Sequence, residues 1–374
     1  MNKVCWRRGK NVLVGVCIGG VIVLLLCFSA DTANGVRQGL SYACEMLVPS
    51  LFPFMVLSSF LIRSGLIESL GTWGGGITKR WFHLPPHTAG AILLSFFGGF
   101  PVGAKCVRLL YEQEKITAQQ AEQMMLFCVG AGPAFLVTGI GTLLLHDPRA
   151  GGLLFTAQLV AGVLLGGLAG RLFPAKDQLP SNRRAVLVSR TAWTDVFLQS
   201  CSDGANALLQ MTALVALFAM LSAMSERTGV CVVVKNLLQW CGAEETLAEH
   251  FYYILTEVTA ACQRITQERD SLWLLAMAVG FGGCCVHCQV WAILGDLPLH
   301  KGRFLLFRVL QAFISSVIVY GVSRFHPLAV MAMADTNTGE NVHIVWHSMT
   351  VTGTGALLLL SLLFVLSLQK RQRL

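Results

Sequence analysis

Residues 98–103 read Gly-Gly-Phe-Pro-Val-Gly and interrupt an apolar stretch, Ala89–Leu110. Proline cannot donate the helical hydrogen bond, and glycine readily leaves the helical conformation. The stretch is therefore predicted to be a broken helix rather than an ordinary span. In a bilayer, unwound backbone is costly unless it lines a polar cavity or is buried in protein. The break therefore predicts a membrane protein with a functional cavity at this point.

The composition agrees with a membrane protein. Hydrophobic residues make up 54% of the 374 residues and charged residues 13%, whereas soluble domains carry roughly 25% charged residues. So few charges cannot cover the surface of a soluble domain of this size. This excludes a soluble enzyme, a nucleic-acid-binding module and a disordered regulator. The net charge of +8 comes from basic residues in short loops between apolar runs, as the positive-inside rule describes.

Apolar runs of about 20 residues mark the candidate spans. They are Val12–Phe28, Gly39–Ile62, Glu122–Leu145, Gly151–Leu172, Phe197–Met224, Phe304–Ser323 and Val342–Leu366. The first run is longer than a signal-peptide core of about 7–15 residues, which favours an uncleaved span. Phe251–Leu294 is a second broken stretch, and Leu66–Trp81 and Val230–Trp240 are predicted to lie in the interface. The predicted fold is all-α, with about 7–9 transmembrane helices.

Basic loops set the predicted orientation. The N-terminus and the loop 171–190 are both rich in lysine and arginine, which places both in the cytoplasm. The four full spans between these two basic segments give this orientation if Ala89–Leu110 enters and leaves the membrane on the same side. Basic residues on both flanks of Ala89–Leu110 favour such a re-entrant hairpin. The side of the C-terminus stays open, because an inverted repeat places it outside whereas basic residues at 370–373 favour the inside.

Two sequence blocks occur twice in the same order. Residues 54–65 share Phe-x-x-Leu-Ser-x-x-x-x-Arg-x-Gly with 218–229, and residues 97–102 share Phe-Gly-Gly-x-x-Val with 281–286. Chance is the alternative, since apolar sequences align easily, but the shared Arg, Ser and Gly favour a repeat. The crossings between the copies make them enter the membrane in opposite senses. Inverted repeats with broken helices are typical of transporters.

The repeat divides the chain into five segments. They are an N-terminal span and loop (1–38), a first repeat (39–173), a basic cytoplasmic linker (174–196), a second repeat (197–323), and a C-terminal loop with a last span (324–374).

The first break offers a binding site for a polar ligand. A helix that starts after the break aims its free N–H groups at it, which favours an anion or a polar ligand edge. Lys105 lies in the first turns of this helix. It either donates to a substrate oxygen or extends to the lipid headgroups, and the sequence does not separate these alternatives.

The second break is the predicted counterpart. Gln289 stands where Lys105 stands in the first copy, and His287 and Gln289 are candidates to hydrogen-bond a solute. Cys284, His287 and Cys288 also resemble metal ligands. Their spacing is not that of a zinc knuckle, and small packing residues at a helix break are the simpler interpretation.

Glu257 is an acid within an apolar run, and such residues are functional candidates by default. It is expected to bind a substrate hydroxyl or to carry a coupling proton or Na⁺, and the alternative is an interfacial acid paired with Arg264. Prolines at 49–53, and glycines and a proline at 130–133, kink or break two other predicted spans. Either the carbonyls freed there face the same cavity, or the kinks are ordinary ones at helix contacts. The predicted substrate-binding residues are Pro49, Ser50, Pro53, Gly98, Gly99, Pro101, Gly103, Lys105, Gly132, Glu257, Thr259, Gly282, Gly283, His287 and Gln289.

Residues 47–54 (Leu-Val-Pro-Ser-Leu-Phe-Pro-Phe) and 98–105 (Gly-Gly-Phe-Pro-Val-Gly-Ala-Lys) resemble the YlbJ type of sporulation integral membrane proteins. Residues 130–135, 257–259 and 281–289 strengthen the resemblance, which covers about residues 40–320. It implies a nucleoside-recognition or Gate domain, shared with FeoB-type ferrous-iron transporters and related to concentrative nucleoside transporters. It also implies a role in endospore formation, linked to cortex assembly in the mother-cell membrane. Phe100 and Ala260 depart from the family pattern, where Tyr and Gly are common.

The leading expectation is a multi-pass cell-membrane protein that binds or moves a small polar solute, nucleoside-like by resemblance, with or without a coupling ion. No cofactor and no nucleic acid are expected. Membrane lipid is an expected partner, and homo-oligomer formation is left open. One alternative is a divalent-metal permease, whose metal-dependent uptake would be lost in Cys288→Ser. The other is a non-transporting scaffold, unaffected by Lys105→Ala and Glu257→Gln. No nucleotide-binding loop or nucleophile motif is present in the sequence, so an enzyme is not expected.

Overall fold

A computed structural model describes residues 22–174, 193–267 and 272–325, together with three glycines near the N-terminus. Within these ranges every regular element is a helix, which confirms the predicted all-α class. Part of the predicted first span, most of the basic linker and the whole predicted last span Val342–Leu366 lie outside the described residues.

The first long helix is bent. Helices α1 (Ser29–Tyr42) and α2 (Val48–Arg63) are joined by a π-helical turn, Ala43–Leu47. The axes of Ser29–Glu45 and Val48–Arg63 differ by 59°. Pro49 lies at the start of α2 and has no N–H for the helical hydrogen bond, which accounts for the wider turn before it.

The remaining elements of the first half are short helices and one long one. They are α3 (Leu66–Ile77), a π-helical turn (Thr78–Phe82), a 3₁₀ turn (Pro86–Thr88), α4 (Ala89–Gly98), α5 (Phe100–Glu112), α6 (Ala118–Met125), a π-helix (Ala134–Leu144) and α7 (Pro148–Leu172). The predicted span Glu122–Leu145 is thus not one helix, because residues 126–133, with two glycines and a proline, interrupt it.

The second half contains seven described helices. They are α8 (Trp193–Thr228), α9 (Val230–Trp240), α10 (Glu245–Thr256), α11 (Val258–Gln267), α12 (Leu272–Phe281), α13 (Gly283–Leu294) and α14 (Lys301–Phe325). The described part of the predicted broken stretch Phe251–Leu294, without residues 268–271, therefore contains two breaks, one at Glu257 and one at Gly282.

The two halves have the same order of elements: a long helix, a short helix, two interrupted pairs and a helix of 25 residues. A glycine in the left-handed conformation follows each long helix, Gly65 with φ 73° and Gly229 with φ 76°. In this order the break at Gly99 corresponds to that at Glu257, and segment 126–133 corresponds to Gly282. The matching motifs at 97–102 and 281–286 therefore lie at breaks that do not correspond: the first is in the first interrupted pair of its half, and the second is in the second interrupted pair.

The two long helices pack antiparallel. Gly35 and Gly39 of α1 lie against Met220 and Ala216 of α8, and Val56 of α2 lies against Gly204. Two ion pairs between these helices agree with the antiparallel order: Asp31 pairs with Arg227 at 2.9 Å, and Arg63 pairs with Asp203 at 2.6 Å. Residue numbers rise along α1 and α2 as they fall along α8, so α1 and α2 run antiparallel to α8.

Four helical stretches in the described part of the chain are long and apolar enough to cross a membrane. They are α7, α8, α12 with α13, and α14, and the bent pair of α1 and α2 adds a fifth if it counts as one span. The chain is therefore a multi-pass membrane protein by the length and composition of its helices.

Candidate functional site: a buried cavity between four helix breaks

A cavity lies where the four helix breaks meet. Gly99, Gly132 and Glu257 line it from three of the breaks, and Cys285 lines it from the first turn of α13, next to the fourth break at Gly282. The remaining wall is apolar side chains from the start of α2 and from α8. The space open to the centre of a water-sized sphere is about 30 Å³. Since one such sphere needs roughly 10–15 Å³, the cavity holds about two water-sized groups.

In each half, the two breaks touch through their backbones. A Cβ atom added to Gly132 would lie 2.7 Å from the carbonyl oxygen of Phe97 and 2.9 Å from the nitrogen of Gly99. A Cβ added to Gly283, which has φ 70°, would lie 3.1 Å from the nitrogen of Glu257. Glycine is required at both positions because any side chain would hold the two breaks apart.

Glu257 occupies the break between α10 and α11 and is 2% exposed. Its Oε1 accepts a hydrogen bond from the backbone N–H of Thr259 at 2.9 Å. Its Oε2 accepts one from the backbone N–H of Ala260 at 2.6 Å and another from the Thr259 hydroxyl. The carboxylate thus caps the N-terminus of α11, where free N–H groups and the helix dipole favour a negative charge.

No lysine, arginine or histidine of the described residues forms an ion pair with Glu257. Arg264, the cation considered as its partner, binds Glu226 and Glu249 instead, each at 2.7 Å. Its guanidinium also stacks 4.2 Å from the ring centre of Tyr253. Glu257 is therefore a deeply buried carboxylate and not one half of an interfacial ion pair.

Gln289 on α13 brings a second polar side chain to the cavity, and it is 5% exposed. Its Nε2 donates to the sulfur of Cys285 at 3.5 Å, while its Oε1 is buried without a hydrogen-bond partner. A buried acceptor without a partner is costly. Gln289 therefore places an unsatisfied amide oxygen beside the cavity.

Six of the predicted site residues line this cavity: Gly99, Pro101, Gly132, Glu257, Thr259 and Gln289. The others do not line it. Pro49 and Pro53 are exposed, and buried Ser50 donates to the carbonyl of Leu47. The remaining glycines contact neighbouring side chains or backbone around the breaks: Gly98, Gly103, Gly282 and Gly283.

Lys105 lies apart from the cavity. Its Nζ donates to the hydroxyl of Ser59 on α2 at 3.2 Å and lies 3.5 Å from the carboxylate of Asp203 on α8. The side chain is 35% exposed. The structure therefore gives Lys105 a partner on the long helices and does not bring it to Glu257 or Gln289.

The three candidate metal ligands of the second break point to different surroundings. The ring Nδ1 of His287 bonds to the carbonyl of Gly283, and the ring packs against Phe281 and Phe304. Cys284 is exposed and Cys288 is half-buried. Within the described ranges, no three His, Cys, Asp or Glu side chains come together in a group that could hold a metal ion.

Arg308 on α14 is a buried cation that the predicted site residues do not include. It is 1% exposed, and its guanidinium donates to the carbonyls of Leu126, at 3.0 Å, and Val129. These carbonyls belong to the interrupted segment 126–133, where helical partners are lacking. Arg308 therefore holds this break in place. The signal was present, because an arginine within a predicted span is a functional candidate by default.

The fold and the cavity define a multi-pass, all-α membrane protein with a buried carboxylate between interrupted helices. The chain is similar to the "Sporulation integral membrane protein YlbJ" of Bacillus subtilis (strain 168). The two are 24% identical over 308 residues, which cover 76% of this chain and 75% of that protein. This similarity supports the resemblance found in the motifs, while the Gate-domain relation stays a prediction. No family model matches the sequence, and no solved structure matches it significantly.

Proposed function

We propose that this chain is a sporulation membrane protein that binds, and moves across the membrane, a small polar solute held at Glu257. The observation that carries the proposal is the convergence of four helix breaks on one cavity, at a buried carboxyl group that pairs with no cation in the described part of the chain. Interrupted helices at membrane depth persist where they line a binding site. The sporulation role rests on the name of the Bacillus subtilis relative.

The packing of the long helices supports alternating access between two inverted repeats. Asp203 and Glu226 lie about 35 Å apart along α8 at 1.5 Å per residue, comparable with a hydrocarbon thickness of about 30 Å. Lys105 of α5 pairs with Asp203, and Arg264 of α11 pairs with Glu226. One broken helix from each half is thus tied to α8 at positions about 35 Å apart. Such separate attachment is what a protein that opens one side at a time requires.

The size of the cavity restricts what this conformation can hold. Its volume of about 30 Å³ is roughly a tenth of the smallest pockets that enclose a drug-sized ligand, about 300 Å³. A nucleoside-like solute would enter only after the broken helices separate. The described conformation is therefore too narrow at this point to hold such a solute.

A solute screen on the purified full chain tests the proposal, with thermal unfolding as the readout. We expect a solute that raises the melting temperature of the wild type but not of Glu257→Gln, since this substitution removes the charge and keeps the side-chain size. Lys105→Ala is the matched control outside the cavity and should keep the shift. A shift that survives in Glu257→Gln and disappears in Lys105→Ala would contradict the proposed site.

A second arm tests the cellular role. In the bacterium that carries this chain, the Glu257→Gln variant should reach the membrane at the normal level and yield as few heat-resistant spores as a deletion. Normal spore numbers with Glu257→Gln would favour the scaffold alternative instead.

A further inference from the structure

Three exposed cations lie near the C-terminal end of α7, outside the cavity. Lys79 and Arg80 belong to the π-helical turn Thr78–Phe82, and Arg171 belongs to the last turn of α7. No acidic side chain with a described position pairs with any of the three. Positive charges without acidic partners attract anions.

Glycines of α7 fix the position of the π-helical turn. A Cβ atom added to Gly166 would lie 2.5 Å from the ring of Phe82, and one added to Gly167 would lie 2.6 Å from the indole nitrogen of Trp81. At Gly170 the added Cβ would lie 2.5 Å from the carbonyl oxygen of Phe82. The turn therefore packs directly on the last two turns of α7, and its cations are held at the end of that helix.

Arg171 lies over the indole ring of Trp81. Its Cζ is 5.1 Å from the ring centre, a cation–π contact. Its Nη1 donates to the carbonyl of Gly167 at 2.8 Å, and the indole N–H donates to the carbonyl of Val163 at 2.9 Å. These contacts orient the guanidinium but use only one of its five N–H donors. The other donors stay available for a phosphate, which a guanidinium binds through two parallel hydrogen bonds.

The surroundings favour a lipid over a soluble anion. The side of α7 next to Arg171 carries exposed apolar residues at every fourth position: Val160, Leu164, Leu168 and Leu172. They extend over about 18 Å at 1.5 Å per residue, and Ile77, just before the π-helical turn, is 69% exposed. Such a surface suits acyl chains, and tryptophan beside lysine and arginine is typical of the membrane interface. The cations therefore lie where a lipid on this surface would carry its headgroup.

We propose that these three cations, together with Trp81, bind the headgroup of an anionic phospholipid. The phosphate accepts hydrogen bonds from Arg171. An anionic headgroup has no ammonium to offset its phosphate, so the charges of Lys79 and Arg80 favour it over a zwitterionic one. Arg171 begins the basic loop that is predicted to be cytoplasmic, which assigns the lipid to that leaflet. The inference is independent of the solute proposed for the cavity.

Native mass spectrometry of the purified full chain tests the inference, in detergent with equal amounts of phosphatidylglycerol and phosphatidylcholine. We expect the wild type to bind phosphatidylglycerol preferentially. Lys79→Gln/Arg80→Gln should weaken this binding about 30-fold, because each cation near an anionic lipid contributes about fivefold. Arg149→Gln/Arg324→Gln is the matched control. It removes two exposed cations at the other end of α7 and at the end of α14, and it should keep the binding.

Arg171→Lys separates charge from geometry. It keeps the positive charge but loses the planar guanidinium over Trp81, and binding should weaken about fivefold, the loss of one hydrogen bond. Melting temperatures in phosphatidylcholine show whether each variant folds, and Arg171→Lys decides the test if Lys79→Gln/Arg80→Gln does not.

Four results would overturn the inference. A wild type that binds both lipids equally has no anionic-lipid site. Equal losses in Lys79→Gln/Arg80→Gln and in the control would mean that net charge alone attracts the lipid. Unchanged binding in Lys79→Gln/Arg80→Gln and in Arg171→Lys would place the lipid elsewhere. Displacement of phosphatidylglycerol by an excess of inorganic phosphate at constant ionic strength would identify a soluble anion as the ligand.

Discussion

Substituting Gly132 by alanine should destabilise the protein, whereas the same change at Gly130 should not. The two glycines belong to the same interrupted segment. A Cβ at Gly132 would lie 2.7 Å from the carbonyl oxygen of Phe97 and 2.9 Å from the nitrogen of Gly99. At Gly130 no heavy atom lies within 4 Å of the added Cβ. Only the first substitution therefore pushes apart two breaks that line the cavity.

The expected magnitude follows from two opposing contributions. Overpacking a well-packed interior costs about 1–3 kcal/mol, while Gly→Ala lowers the entropy of the unfolded chain and stabilises by about 0.4–1 kcal/mol. Gly132→Ala should thus lose about 1–2 kcal/mol, since the clashing atoms are backbone and cannot rotate away. Gly130→Ala should be neutral or slightly stabilising.

Thermal unfolding of both variants, purified side by side, measures the difference. Gly132→Ala should melt about 2–8 °C below the wild type, by the usual relation between free energy and melting temperature. Gly130→Ala should melt at or above the wild type. Equal melting temperatures for the two variants would refute the contact between the break at 126–133 and the break at Gly99.

Three further predictions concern other parts of the fold. Arg308→Lys should lower the free energy of unfolding by about 1.5–3 kcal/mol, because one ammonium cannot bind both carbonyls as a planar guanidinium does. Unfolding measurements should show this loss. Arg303 is partly exposed, so Arg303→Lys is the control and should be nearly neutral. The double variant Asp31→Cys/Arg227→Cys should form a disulfide under oxidation, which peptide mass spectrometry detects. The double variant Asp31→Cys/Asp203→Cys should not form one. A disulfide in the second variant and none in the first would refute the antiparallel packing of α1 and α8. The hydrogen bond from Lys235 holds the pKa of Glu249 below its ordinary value of 4.5. Folding therefore gains stability above that pH and loses it as the pH falls through the folded value. The wild type should lose more melting temperature than Glu249→Gln between about pH 5 and pH 3, and parallel curves would contradict this.

The helix breaks could be predicted from sequence because their cause is local. Glycine and proline at 98–103 and 130–133 act on the backbone of their own segment, so the interruptions follow from covalent chemistry. The break at Glu257 has no such marker in its own residues. It depends on the carboxylate folding back onto the N–H groups of Thr259 and Ala260, so the sequence indicated a functional acid there but not a helix end.

Tertiary partners could not be predicted, because they join residues far apart in sequence. Spacing alone gave Lys105 a place at the first break, but the fold turns it toward Ser59 and Asp203. Arg264 lay at a suitable helical distance from Glu257, yet two other acids are closer in space. The hydrogen bonds from Arg308 to the carbonyls of Leu126 and Val129 join residues separated by about half the length of the chain. An apolar run with one arginine does not reveal which backbone it binds.

An experimental density map of the full chain in lipid nanodiscs tests the central claim most directly. We expect Gly99, Gly132, Glu257 and Cys285 to surround one space beside the Glu257 carboxyl group. Breaks that face the acyl chains, or that stand apart across a dry and filled interior, would contradict the account.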